Sequence, residues 1–353
     1  MTTIKTRSFA RAGLLGNPSD GYFGKTLSFA FANFGVDLQL TESELMRFVP
    51  GVVDDATFES PEKLVHDLRL FGYYGGIRML KAVAKRFFEY CFDHGIAITP
   101  RNFTAEYKIN IPRLVGLSGS SAICSAMLKA LMKFYEVTIP AEYAPTICLE
   151  AEKLELGINC GYQDRVVQMY NGLVFMDFNR AYVEEHNFGL YERIDLSVLK
   201  AGSGLNLYIA FDPNRAEESG KAHQKVKHLF EEKKPDIVAA MSEFADIAQQ
   251  GRDALMAGCP EKIPALVNAN FDLRDRIFNV AEQNRNMVMV ARSAGASAKF
   301  AGSGGAIVGT YADEAQFTLL TNRLATIGCT TLKPILAVSD DVDVDVVSPW
   351  RTA

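Results

Sequence analysis

Segments that read as strands alternate with segments that read as helices along the 353 residues, which predicts an α/β or α+β protein of about two domains. Apolar residues recur at helical spacing in Gly76 to Cys91 and in Ser121 to Val137, whereas Leu173 to Phe178 and Leu205 to Phe211 are short apolar runs of strand length. Hydrophobic residues make up 48% of the chain and charged residues 22%, close to the averages of globular proteins, so disorder and fibrous structure are excluded. No period recurs, which excludes a solenoid.

Taken in order, Arg7 to Leu15 and Thr26 to Leu40 predict two strands around Gly16-Asn17-Pro18-Ser19-Asp20-Gly21, a cluster of turn formers. The first helix sets Ile77, Leu80, Val83, Ala84, Phe87 and Phe88 against Arg78, Lys81, Lys85, Arg86 and Glu89. The second carries Ile123, Ala126, Met127, Ala130, Leu131 and Phe134 on its apolar stripe, and Glu150 to Lys153 lie near the end of a third that Gly157 stops. Between 180 and 204 the apolar content thins through Asn179-Arg180, Glu184 to Asn187 and Gly202-Ser203-Gly204, so the chain divides into residues 1–195 and 196–353. The second part then predicts a strand at 205–211, helices within about 219–257 and 261–293, a Gly-rich hairpin at 302–310, a helix at 313–326 and final strands.

The net charge of −5 and the lack of a run of like charges exclude a basic nucleic-acid-binding face, although a few placed cations would suffice for a small anionic substrate. The longest stretch without Asp, Glu, Lys or Arg is Leu114 to Leu128, 15 residues, too short for a membrane span. No apolar run follows Lys5, Arg7 and Arg11 as a secretory signal requires, so a cytoplasmic protein is expected. The six Cys are never closer than twelve residues apart, which excludes a local zinc site and predicts buried thiols.

Common catalytic motifs fail one by one. Ser19 to Thr26 lacks the first Gly of a P-loop, and Gly302-Ser303-Gly304-Gly305 has Ile307 where a dinucleotide fingerprint needs Gly. Gly116 to Ser120 lacks the closing Gly of a nucleophile elbow, and the five His form no HExxH. What stands out is Pro112 to Ser121, with Gly116, Leu117, Ser118, Gly119 and Ser120 leading into a helix. Gly permits close backbone approach, hydroxyls and orphan N–H groups gather at the positive end of the helix dipole, and no acid opposes an anion there. The segment reads as a phosphate cradle or as a Ser-rich N-cap. Glu150 and Glu155 read as a solvated face, and Asp164 as either a catalytic carboxylate or a helix cap. Lys299 to Val308 reads as a tight hairpin or a ligand loop.

In this order the three segments resemble the motifs of the GHMP kinases, the superfamily of galactokinase, homoserine kinase, mevalonate kinase and phosphomevalonate kinase: Arg11 to Asp20, Pro112 to Ala122, and Phe300 to Val308. Within it the chain resembles the glucuronokinases through RSFARAGLLGNPSDGYFGKT, GYYGGIRML, NIPRLVGLSGSSAI, AEKLELGINCGYQDRVVQMYNGLVFMDF, NFDLRDRIF and KFAGSGGAIVG, which span residues 7 to about 309. The resemblance implies an α+β fold with an N-terminal domain like ribosomal protein S5 domain 2 and a C-terminal ferredoxin-like domain. It implies ATP and Mg²⁺ as cofactors, D-glucuronate as the acceptor, phosphorylated at its anomeric hydroxyl, and a monomer or homodimer with neither nucleic acid nor membrane as partner.

By position, Asp164 is similar to the family's catalytic Asp and Arg11 to the basic residue that stabilises the transferring phosphoryl group. Pro112 and Gly116 to Ser121 correspond to the ATP-binding loop, and Ser121 and Glu152 to the Mg²⁺ ligands. Asn17, Asp20, Tyr22, Arg165, Gly302, Ser303 and Gly304 correspond to the substrate side. Two departures matter. The second motif is one residue longer than the usual G-L-G-S-S-A, so Ser120 is an alternative to Ser121 for the metal, and Asn17-Pro18 stands where galactokinase-like members carry Glu-His. Arg165 replaces a Gln that those members carry after the catalytic Asp. It is therefore the expected partner of the acceptor carboxylate, or else pairs with Asp164 or a surface Glu, with Lys25 and Arg274 as further candidates.

Overall fold

The computed structural model describes residues 2–51, 54, 75–195, 205–213 and 220–339. Strands β1 (Thr3–Leu15) and β2 (Lys25–Ser43) pair antiparallel, from Thr3 opposite Thr41 to Leu15 opposite Leu27. The turn formers between them make one 3₁₀ turn, Ser19–Tyr22. Because β2 is long, its C-terminal part also pairs with β4 (Asn102–Ile109) and its N-terminal part with β5 (Leu173–Asp177). With β3 (Arg47–Phe48) parallel to β4, and β6 (Leu190–Ile194) beside β5, the sheet order is β3-β4-β2-β5-β6. Alternation in β4 turns Phe103, Ala105 and Tyr107 to the core.

Helices α1 (Gly76–Asp93) and α2 (Gly119–Tyr135) cover this sheet. Helix α2 is buried nearly all round because it lies between α1 and strands β1 and β2, and Thr6 Oγ1 donates to the Ala126 carbonyl at 2.8 Å. Helix α3 (Ala144–Glu150) widens into a π-helical turn, Ala151–Glu155, and the chain reverses at Gly157, whose φ is +66°. Short helices α4 (Gln163–Tyr170) and α5 (Arg180–His186) follow.

The second sheet is antiparallel and contains β7 (Asn206–Phe211), β8 (Lys299–Phe300), β9 (Ala306–Tyr311) and β10 (Thr330–Leu332), in the order β10-β7-β9-β8. Its helices are α6 (Gly220–Glu231), α7 (Pro235–Met256), α8 (Ile263–Ile277), α9 (Glu282–Ser293) and α10 (Glu314–Ala325). Hydrogen bonds donated by backbone N–H groups tie β1 and the loop after it to the second half of the fold. Gly13 N–H donates to Ala301 O at 2.7 Å, and Gly16 N–H to Asn270 Oδ1 at 2.6 Å.

The elements follow the expected order, except that β3 and β4 stand where the sequence predicts no strand and that the expected boundary is partly structured. Residues 180–194, read as a thinning boundary, form α5 and β6: Asn179 caps α5 by accepting from Tyr182 N–H, and its charged residues are the exposed face of a packed helix. The boundary residues Gly202-Ser203-Gly204 lie outside the described residues. The six Cys are free thiols, as expected, but only Cys91, Cys124, Cys148 and Cys329 are buried, since Cys160 and Cys259 sit at loops and are partly exposed. Among the described residues no helix is long and apolar enough to cross a membrane.

Candidate active site

Arg11 lies within β1 and is 5% exposed, so its guanidinium must be satisfied by protein. Nε donates to Asp164 Oδ1 at 2.6 Å, while Nη1 donates to the Gly116 carbonyl at 2.8 Å and the Ala301 carbonyl at 3.1 Å. One side chain thus gathers the loop before α2, the hairpin between β8 and β9, and the first turn of α4. The two glycine loops interlock at backbone distance. A Cβ on Gly302 would lie 2.3 Å from Gly116 O and 2.9 Å from Arg11 Nη1, and one on Gly116, whose φ is +75°, would lie 2.5 Å from Gly304 O. The hairpin and ligand-loop readings of 299–308 are therefore compatible: β8 and β9 form the hairpin, and its tip faces a cavity of about 1000 Å³.

Asp164 occupies the first turn of α4, whose N-cap position is Tyr162, so it is not the helix cap. It accepts from Arg11 and from Ser118 Oγ, the latter at 2.7 Å. Burial pushes its carboxyl upward, but the charges of Arg11 and Arg165 and these hydrogen bonds outweigh burial and hold it well below the usual carboxylate range. Ser118 stands at the N-cap position of α2 in a left-handed conformation, φ 65°, and its hydroxyl is spent on Asp164. Helix α2 therefore starts without a side-chain cap and without an acid in its first turn, at Gly119 and Ser120 on the cavity wall. That arrangement suits an anion rather than a capping hydroxyl.

Beyond Asp164, Arg165 and Glu152 form a buried pair, 3% and 0% exposed. Arg165 Nε and Nη2 both donate to Glu152 Oε2, the former at 2.7 Å, and Nη1 donates to the Gly161 carbonyl at 2.8 Å. Glu152 Oε1 has no hydrogen-bond partner. On the cavity wall Asp20 accepts from Gln163 N–H at 3.2 Å, and burial, then the neighbouring Asp164, raise its carboxyl to about 6. Burial, then Asp20, push Tyr22 to about 12. Arg274 donates to the carbonyls of Gly302 and Ser303 at 3.0 and 2.9 Å, and burial lowers it to about 10.

Arg11, Asn17, Asp20, Tyr22, Pro112, Gly116, Leu117, Ser118, Gly119, Ser120, Glu152, Asp164, Arg165, Gly302 and Ser303 all line the one cavity. Ser121 does not: it is fully buried one residue further into α2, and its hydroxyl donates to the Ser118 carbonyl at 3.3 Å. Of the two hydroxyls weighed for the metal, Ser120 is the one on the wall. Gly304 also falls outside the lining, with its carbonyl against Gly116. Arg165, expected to meet the acceptor carboxylate or else to pair with Asp164 or a surface Glu, commits Nε and Nη2 to Glu152, which is buried, and sets Nη1 3.8 Å from Asp164 Oδ2. Lys25 is turned toward Gln249 and Asp177 at 2.8 and 3.2 Å and does not line the cavity.

Sequence reasoning missed Met79 and Lys227 on the wall, because each sits in a segment that reads as an ordinary helix, and Arg180, because its segment reads as a boundary between domains. It also missed the burial of Lys299, 1% exposed, whose one signal is a charged residue inside an apolar run beside the glycine loop.

Residues 78–172 match the family model described as the GHMP kinases N terminal domain. The chain is 44% identical over 309 residues to "Probable glucuronokinase 2" of Arabidopsis thaliana, covering 86% of this chain and 82% of that protein. It is 43% identical over 311 residues to "Glucuronokinase 1" of the same plant, covering 86% and 84%. Its fold is similar to that of Lactococcus lactis galactokinase solved in complex with galactose, with a TM-score of 0.72 at 14% identity over 95% of this chain and 94% of that one. The chain belongs to the GHMP kinases and, within them, to the glucuronokinase family.

Proposed function

We propose that this ATP-dependent sugar kinase transfers the γ-phosphoryl group of ATP to the anomeric hydroxyl of D-glucuronate, giving D-glucuronate 1-phosphate and ADP. The observation that carries the reading is Arg11, which holds Asp164 and both glycine loops around one cavity. Phosphoryl transfer asks a protein mainly for positioning and for charge placed where charge develops. The uncapped start of α2, with Gly119 and Ser120, receives the phosphates, and Arg11 faces the group in transit.

Asp164, kept ionised by Arg11, is a weak base but a strong acceptor. It therefore holds the anomeric O–H in line and takes its proton only as the P–O bond forms. Asp20 accepts from other sugar hydroxyls, beside Tyr22. The donor set fits Mg²⁺: Glu152 Oε1 is an orphaned buried carboxylate oxygen, the Ser120 hydroxyl is a second hard oxygen, and phosphate oxygens and water would complete the shell. Bound there, Mg²⁺ would neutralise charge spreading over the phosphates.

A coupled ADP-release assay over D-glucuronate, D-galacturonate, D-glucose, D-galactose, mevalonate and homoserine tests the reading. The highest kcat/KM is expected with D-glucuronate. Preference for a neutral hexose would replace the substrate assignment, and no ADP release with any acceptor would overturn the proposed reaction.

A further inference from the structure

A uronate differs from a neutral hexose by one carboxylate, which is costly to bury without donors or a cation. Arg165 is committed to Glu152, so the carboxylate needs another partner. Lys299 lies behind the cavity wall in β8, and its ammonium donates to the Gly13 carbonyl at 2.5 Å, to the Phe300 carbonyl at 2.9 Å and to Asn17 Oδ1. Three acceptors use all three N–H bonds of an ammonium, and among the described residues Lys299 makes no ion pair. Burial, then the charges of Arg274 and Arg11, lower its proton affinity, against which the three oxygen acceptors around it hold the ammonium form.

Asn17 is the side chain that converts this into recognition. It is 3% exposed and lines the cavity, and Gly13 makes room for it, since a Cβ there would lie 2.9 Å from Asn17 Oδ1. An ammonium accepts nothing, so the atom facing Lys299 must be the amide oxygen, and the orientation of the carboxamide is settled by chemistry. Among the described residues the Asn17 amide nitrogen donates to no protein group. Two N–H bonds are thus left for the cavity that Asn17 lines, with Lys299 held on the oxygen of the same amide.

We propose that Asn17, its oxygen locked by Lys299, presents its amide N–H bonds to the carboxylate of the acceptor and sets the preference for acidic over neutral sugars. This rests on the proposed function, which supplies the acidic acceptor. Lys299 is then a positioning residue, and Asn17 touches substrate.

The test is calorimetric binding of D-glucuronate, D-glucose and ATP to the full chain and its variants, with thermal melting as the control for folding. Asn17→Asp keeps an acceptor for Lys299 but loses both N–H bonds and adds a like charge. It is expected to weaken D-glucuronate by about 10- to 100-fold, the scale of hydrogen bonds to charged groups, and D-glucose little. Lys299→Met, which frees the carboxamide to rotate, should weaken D-glucuronate with ATP affinity kept, and Lys299→Arg should recover part of the loss. A wild type that does not prefer D-glucuronate overturns the proposed function and this inference with it. A wild type that does, with an Asn17→Asp variant that keeps the preference, overturns the inference alone. Equal losses for ATP and D-glucuronate in Lys299→Met also overturn it, because they mark a structural role.

Discussion

Replacing Arg165 by Met isolates what the buried pair contributes. Glu152 is fully buried, receives both of its hydrogen bonds from Arg165 on one oxygen, and has no partner on the other. Met fills part of the space but leaves the carboxylate without a counter-charge, a change that costs about 3–5 kcal/mol when one partner of a buried pair is removed. Spread over the unfolding entropy of a 353-residue chain, that is a fall in Tm of about 4–7 °C. The double variant Glu152→Met with Arg165→Met removes the stranded charge and should recover most of the loss. Melting with and without millimolar Mg²⁺ adds a second readout. If Glu152 binds the metal, Mg²⁺ should raise the Tm of Arg165→Met more than that of the wild type, because it supplies the missing charge. A single variant that melts with the wild type, or a double variant no better than the single one, would refute the reasoning.

Other outcomes follow from the same geometry. Asp164→Asn should lower kcat by about 10²–10⁴-fold, the range of a lost acid–base group, while calorimetric ATP affinity stays within about threefold; wild-type turnover would remove Asp164 from the reaction. Asp20 has its carboxyl raised from 3.8 to about 6 by burial and then by Asp164, so its contribution to stability is full below about pH 4 and is lost as pH rises through 6. Asp20→Asn should therefore raise stability at neutral pH by at most about 3 kcal/mol, with no gain near pH 4, while sugar affinity falls; urea melts at the two pH values check the sign. Gly302→Ala would place a methyl 2.3 Å from the Gly116 carbonyl and should lower kcat/KM by at least about tenfold through displacement of Arg11, which steady-state kinetics reads directly.

Much of the fold was legible because its signals are local. Helical spacing in Ile77 to Phe88 and in Ile123 to Phe134 and the apolar runs at 173–178 and 205–211 recur as α1, α2, β5 and β7. The segment 180–194 was not legible, since α5 and β6 are half-exposed elements whose charged residues resemble a linker until a sheet edge is there to receive them. At the site, the glycine and serine motifs marked the two loops that meet beside the cavity, but pairing between distant charges left no trace in spacing. Nothing local says that Arg165 turns to Glu152 thirteen positions earlier, that Ser118 serves Asp164 instead of capping α2, or that Lys299 reaches back to Asn17. These depend on the packing of α4 against α2 and of β8 against β1, which no single segment encodes.

The claim that the anomeric oxygen is the acceptor is tested most directly by the product. D-Glucuronate and ATP are converted to completion, and the product is read by ³¹P NMR together with a reducing-end assay. The expected product shows phosphorus coupled to H1 of the sugar and no reducing end, with one ADP formed per sugar consumed. A phosphorylated product that keeps its reducing end, with phosphorus coupled to another ring proton, would contradict the placement of the anomeric hydroxyl against Asp164.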